Sequence, residues 1–171
     1  MLSPKFRHLR RTGFTLMETS IAVGMLGLFV GILITVSSNV LNLVRTSKDN
    51  VSANQNLQQR TEQMRVLTWT QVTDAEAIKT DFLFVSTPSV AGLTEPIETV
   101  TVSPYPAKAD FIPNKVVRTS AGTTVVSDNP LLKDERLVRV DLTLSWSGFP
   151  RKRDRIRATS VLVARPGPSI K

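Results

Sequence analysis

The stretch that decides the fold is Lys5-Phe6-Arg7-His8-Leu9-Arg10-Arg11-Thr12-Gly13-Phe14-Thr15-Leu16-Met17-Glu18, which opens onto an apolar run ending at Val36. Four basic residues, Lys5, Arg7, Arg10 and Arg11, precede the run, and Glu18 is the only ionisable side chain between Phe14 and Val36. As a helix these 23 residues extend about 35 Å, at ~1.5 Å per residue. A bilayer's hydrocarbon core is about 30 Å thick, so the run suffices to cross it with some tilt. The basic flank before the run favours an N-terminus held in the cytoplasm.

Glu18 is the anomaly of this stretch. A carboxylate within lipid costs several kcal/mol unless it is paired or neutralised. With the leader attached, Glu18 can sit at headgroup level. A cut after Gly13 gives Phe14 a free α-amine, starts the helix at Phe14 and places Glu18 about one turn inside it.

Gly13-Phe14-Thr15-Leu16-Met17-Glu18, after a short basic leader and before a spanning run, resembles the class III signal of type IV prepilins and type II secretion pseudopilins. The resemblance covers about the first quarter of the chain. Met17 departs from the branched aliphatic residue more usual there, but stays apolar. The resemblance implies cleavage between Gly13 and Phe14 by a prepilin peptidase and N-methylation of Phe14. It implies a salt bridge from Glu18 to the N-terminal amine of a neighbouring subunit. The partners implied are that peptidase, other pilin or pseudopilin subunits, an inner-membrane assembly platform, and membrane lipid before assembly. The location implied is the inner membrane, with one pass, a cytoplasmic N-terminus and a periplasmic head.

Composition narrows the remaining classes. The 171 residues suffice for one modest domain and an anchor. The net charge of +8 falls to +4 without the leader, a solubility charge more than a nucleic-acid surface. There is no cysteine, and the one histidine is His8 in the leader. Disulfides and thiolate chemistry are therefore excluded, and a processed chain has no imidazole. No phosphate loop, zinc-protease motif or nucleophile elbow occurs. The expectation is a structural subunit, not an enzyme, with no cofactor and no metal. A secretory signal peptide is the rival reading of the N-terminus, but its apolar region is shorter than this one. The rival of another class is a single-span anchored module that binds a periplasmic ligand and forms no filament.

Within the run, Gly27 and Gly31 stand four apart, with Gly24 nearby, a spacing that lets helices approach closely. Beyond it, Val40, Leu41, Leu43, Val44, Val51, Leu57, Met64 and Leu67 recur at helical intervals among polar residues. No proline occurs between Pro4 and Pro88. One helix from about Leu16 to about Thr68 is expected, with Val40 onward packed on a head. Ser37-Ser38-Asn39 and Asn50 to Asn56 are weak helix formers where it could break. The segments expected are a leader over 1–13, a membrane or filament-core helix over 14–36, its amphipathic continuation over 37–68 and a β-rich head over 69–171.

In the head, Phe82-Leu83-Phe84-Val85 reads as a short strand, and Ile97 to Val102 alternates as a half-buried one. Pro88, Pro96, Pro104, Pro106 and Pro113 mark loops. Lys115 to Arg118 and Thr123 to Val126 flank a turn at Ala121-Gly122. Leu137 to Trp146 and Arg155 to Ala164 suit an antiparallel hairpin with one face on the helix and one in water. Asp128, Asn129, Asp134 and Glu135 read as a solvated acidic loop, matching no calcium-loop spacing. Arg151, Lys152, Arg153, Arg155 and Arg157 read as a solvated basic strand face, with Arg155 and Arg157 pointing away from Ile156. Trp69 and Trp146 read as core or interface residues. The fold class expected is α+β: a long N-terminal helix on a small antiparallel sheet, as in pilins. The C-terminal pattern also resembles minor pseudopilin heads.

Overall fold

A computed structural model describes residues 15–83, 92–148 and 153–167. The fold is α+β, with a long N-terminal helix followed by a five-stranded antiparallel sheet. The chain divides into two units, residues 1–41 and 42–171. Helix α1, Leu16–Val66, is unbroken through both weak stretches. Ser38 returns its hydroxyl to the Ile34 carbonyl at 2.9 Å, so a poor helix former adds a bond instead of breaking the ladder.

In the second unit α1 buries Ala53, Leu57, Arg60 and Met64, whose steps of four, three and four keep them on one face. The helix was expected to pack from Val40 onward. Instead Val40, Leu41, Leu43, Val44 and Val51 are exposed, and burial starts at Ala53. Large apolar side chains alone do not mark this face: a small alanine and a cation are two of the four buried residues of α1.

After α1 ends at Val66, Thr68 starts a short α2, Trp69–Thr73, donating its N–H and hydroxyl to Gln71 Oε1 at 3.0 and 2.8 Å. Asp74 caps α3, Ala75–Ala77, by accepting from the Glu76 and Ala77 amides. A π turn, Ile78–Phe82, continues it. Phe82 and Leu83 were expected in a strand. They instead belong to this turn and its C-cap and are 2% exposed. A short apolar run has no periodicity of its own, and the cap at Asp74 carries the helical backbone into it. Phe84, Val85 and Pro88 lie outside the described residues.

The strands are β1 Thr94–Pro104, β2 Asn114–Thr119, β3 Gly122–Ser127, β4 Leu137–Gly148 and β5 Arg153–Ala164, in the order β3-β2-β1-β4-β5. The β2–β3 turn is where the sequence places it, with Thr119 opposite Gly122. Gly122 has φ +139°, which favours glycine. The C-terminal hairpin forms as expected, with Val140 opposite Val161 and Trp146 opposite Arg155. Val100, Val102, Val116, Val138, Val140, Leu142, Leu144 and Trp146 are all buried.

One buried charge cluster ties these layers together. Arg60 NH2 and Arg118 NH2 both reach Glu98 Oε2, at 3.3 and 2.9 Å. Arg60 NH1 donates to the Phe82 carbonyl at 3.0 Å, Arg118 NH1 to the Leu83 carbonyl at 3.2 Å, and the Arg60 guanidinium lies 5.2 Å from the Phe82 ring centroid. Burial pulls the Arg60 pKa below its ordinary value, Glu98 opposes that pull and Arg118 adds to it. The cluster therefore clasps α1, the π turn, β1 and β2 with one carboxylate.

Removing one member of a buried ion cluster leaves uncompensated charge, at about 3–5 kcal/mol. Glu98→Ala should cost that much in urea unfolding of the full chain, and a cost below about 1 kcal/mol would show that Glu98 does not hold the two guanidiniums. A second prediction concerns acid. Lys133 donates to Asp74 at 2.9 Å, and this bond, with the two capping amides, holds the Asp74 carboxyl below its ordinary pKa. Asp74 therefore contributes fully above about pH 4 and loses that contribution as pH falls through its lowered pKa. Melting temperatures of wild type and Asp74→Asn should differ near neutrality and converge in acid. A pH-independent difference would contradict this.

Candidate helix-start and assembly site

The described part of the site begins with Thr15, the residue before α1. Its N–H donates to Glu18 Oε2 at 3.1 Å and its hydroxyl to the same oxygen at 3.2 Å, while the Glu18 N–H donates back to Thr15 Oγ1 at 3.3 Å. Thr15-Leu16-Met17-Glu18 is thus a reciprocal capping box, in which two otherwise orphaned amides are satisfied. Glu18 also lies in the first turn, where the helix dipole favours negative charge.

This box is not among the expectations above, which place Glu18 at headgroup level with the leader attached and, by the resemblance, beside a neighbour's amine after cleavage. In the uncleaved chain the helix starts at Leu16, and Glu18 has local donors. The signal was present as Thr-x-x-Glu before an apolar run. Both Thr15 donors converge on Oε2, and among the described residues no hydrogen bond to Oε1 is seen.

Beyond the box, α1 is long and apolar enough to cross a membrane, and none of that apolar window is buried within the chain. Leu26, Phe29 and Leu33 are 66%, 68% and 55% exposed. The hydroxyls of Thr19, Ser20 and Thr35 return to the helix's own carbonyls at Leu16, Leu16 and Gly31. That leaves these three side chains needing no water, as a lipid or dry protein setting requires. A Cβ added at Gly27 or Gly31 would meet nothing within 4 Å, so the helix surface is open there. Gly13 and Phe14, the expected cleavage and methylation positions, lie outside the described residues.

The other candidate residues serve the head. Asn129 Oδ1 caps the 3₁₀ turn Pro130–Asp134 by accepting from the Leu131 amide at 3.1 Å. Glu135 pairs with Lys108. Trp146 is in the core, and Trp69 Nε1 donates to the Lys133 carbonyl at 3.2 Å. Arg155 and Arg157 alternate with Ile156 as expected, but on the helix-facing side of β5 and not on a fully solvated face. Arg155 is half-buried and donates to Thr46 of α1 at 3.3 Å, while Ile156 faces outward, 64% exposed. An edge strand lets long basic side chains leave the core face sideways, which alternation alone does not reveal. Arg151 and Lys152 lie outside the described residues.

Comparison with family models, curated proteins and solved structures finds no match for this chain.

Losing an N-cap costs about 1 kcal/mol. Thr15→Ala should therefore speed amide exchange at Glu18, whose N–H it bonds, roughly fivefold in detergent micelles. Unchanged exchange there would mean the box does not fix the helix start.

Proposed function

We propose that this chain is a prepilin-like subunit of a type IV pilus or a type II secretion pseudopilus, built to be cut after Gly13 and assembled through α1. The observation that carries the reading is an apolar helical surface, left uncovered by the chain, with one carboxylate at its start and a Gly-Phe step just before it. From Thr19 to Val44 there are 26 residues without a charge, about 39 Å of helix. Before assembly that surface sits in the inner membrane, with the head in the periplasm. After processing it leaves the bilayer and packs against helices of other pilin or pseudopilin subunits. The Phe14 amine of a neighbour then approaches the Glu18 carboxylate, whose position the Thr15 box has set.

A second reading is favoured by the same box. A carboxylate satisfied by its own N-cap needs no partner chain, as in a single-span anchored binding module. In that case replacing residues 1–36 with an unrelated anchor preserves function. In a pilin-like subunit the replacement abolishes it.

Mass spectrometry of the protein from a host with an active prepilin peptidase tests the first reading. The expected N-terminus is Phe14 carrying one added methyl group. An intact Met1, or a cut near Ser38, would falsify it. Glu18→Ala is expected to insert normally but to be depleted from sheared filaments or pseudopili, and normal incorporation would remove the salt-bridge role.

A further inference from the structure

The two edges of the sheet are built differently. Strand β3 has six residues and meets β2 through a register shift between Lys115 and Val116. Shortness and a bulge are ways to blunt an edge against further pairing. Strand β5 has neither. It runs for twelve residues in uninterrupted register with β4, from Leu137 opposite Ala164 to Gly148 opposite Arg153. Among the described residues it pairs with β4 alone. Among the described residues, one backbone edge therefore lies open as a template for another strand.

Beside that edge is a cleft of about 390 Å³. Ala158 and Thr159 of β5 form one wall, and Asn54, Gln58, Glu62 and Arg65 of α1 form the other. Leu57 and Thr61 complete the helical wall, which is mostly polar.

The charge pattern selects the occupant. From residue 151 to 165 the sequence carries six basic residues and one carboxylate, Asp154. Arg155 and Arg157 are spaced two apart on the helix side of β5, and the exposed Ile156 lies between them on the outer side. A strand added along this edge alternates its side chains in step with β5. Carboxylates two apart on the helix side would meet the arginines, and an aliphatic residue between them would cover Ile156. A second β5 is disfavoured, because it sets arginines against arginines.

The geometry points to β5 as a strand-addition site for an extended segment of a partner protein in which acidic and aliphatic residues alternate. Main-chain pairing supplies the attraction and the arginines select the sequence, as in other strand-addition complexes. This rests on the head alone and does not require a filament.

The test uses the full chain in nanodiscs of zwitterionic lipid. The probes are fluorescein-labelled peptides of four Glu-Val repeats and of four Lys-Val repeats, plus a peptide with the same glutamates and valines in two blocks. Only the alternating acidic peptide should bind, with anisotropy rising on titration and amide exchange slowing at residues 156–161. Arg157→Glu, at an exposed position, should weaken binding at least tenfold while leaving the melting temperature within about 2 °C. Equal binding of all three peptides would overturn the site. So would protection elsewhere in the chain, undiminished binding by Arg157→Glu, or no binding at all, the outcome for a basic edge that merely repels strands.

Discussion

Everything in this molecule answers to an apolar helical surface that the chain does not cover itself. Leu16, Met17, Ile21, Phe29, Leu33 and their neighbours up to Val44 are all more than half exposed or close to it. Burying one such side chain is worth about 1.5–3 kcal/mol, so the stretch as a whole carries tens of kcal/mol of unclaimed burial. A domain's net stability is only about 5–15 kcal/mol. No detail of the head offsets leaving that surface in water. By length and composition the helix can cross a membrane, and the proposed function has lipid first, and then the helices of other chains, cover that surface.

Two polar devices hold that helix, by different physics. At the start of α1 the Thr15–Glu18 box holds a carboxylate in local hydrogen bonds at the helix end, where the dipole favours negative charge. Further along, Arg60 does the reverse: a cation buried at 4% exposure, committed to Glu98, Gln63, the Phe82 carbonyl and the Phe82 ring. Charges this deep are weak contributors to net stability but costly to mismatch. The cluster therefore sets which face of α1 meets the sheet. Ala53, Leu57 and Met64 then fill that face with apolar contact.

Much of this was legible in the chain because period and punctuation are local. The proline-free stretch up to Pro88 marks one long helix, and the alternation from Leu137 to Trp146 marks a half-buried strand; both are present. What was not legible depends on tertiary choice. Phe82-Leu83 is equally a strand or a buried turn until the Asp74 cap upstream is known to start a helix. Where packing on α1 begins depends on how far along the helix the sheet covers it, so the apolar Val40 to Val51 positions looked like core and are not. The face taken by Arg155 and Arg157 depends on β5 lying at an edge, a matter of strand order, which no local pattern encodes. Thr15 was legible and overlooked, because the acid's charge drew the reading outward toward a partner instead of back three residues.

The proposed function requires the exposed surface of α1 to end against other helices after assembly and not in lipid. Benzoylphenylalanine placed at Phe29, 68% exposed, reports directly what that surface touches. Irradiating cells that contain the assembled machinery should yield adducts to another copy or another subunit, with the captured peptide in that protein's apolar N-terminal helix. Adducts to lipid alone, identical in cells with and without the assembly machinery, would contradict the account.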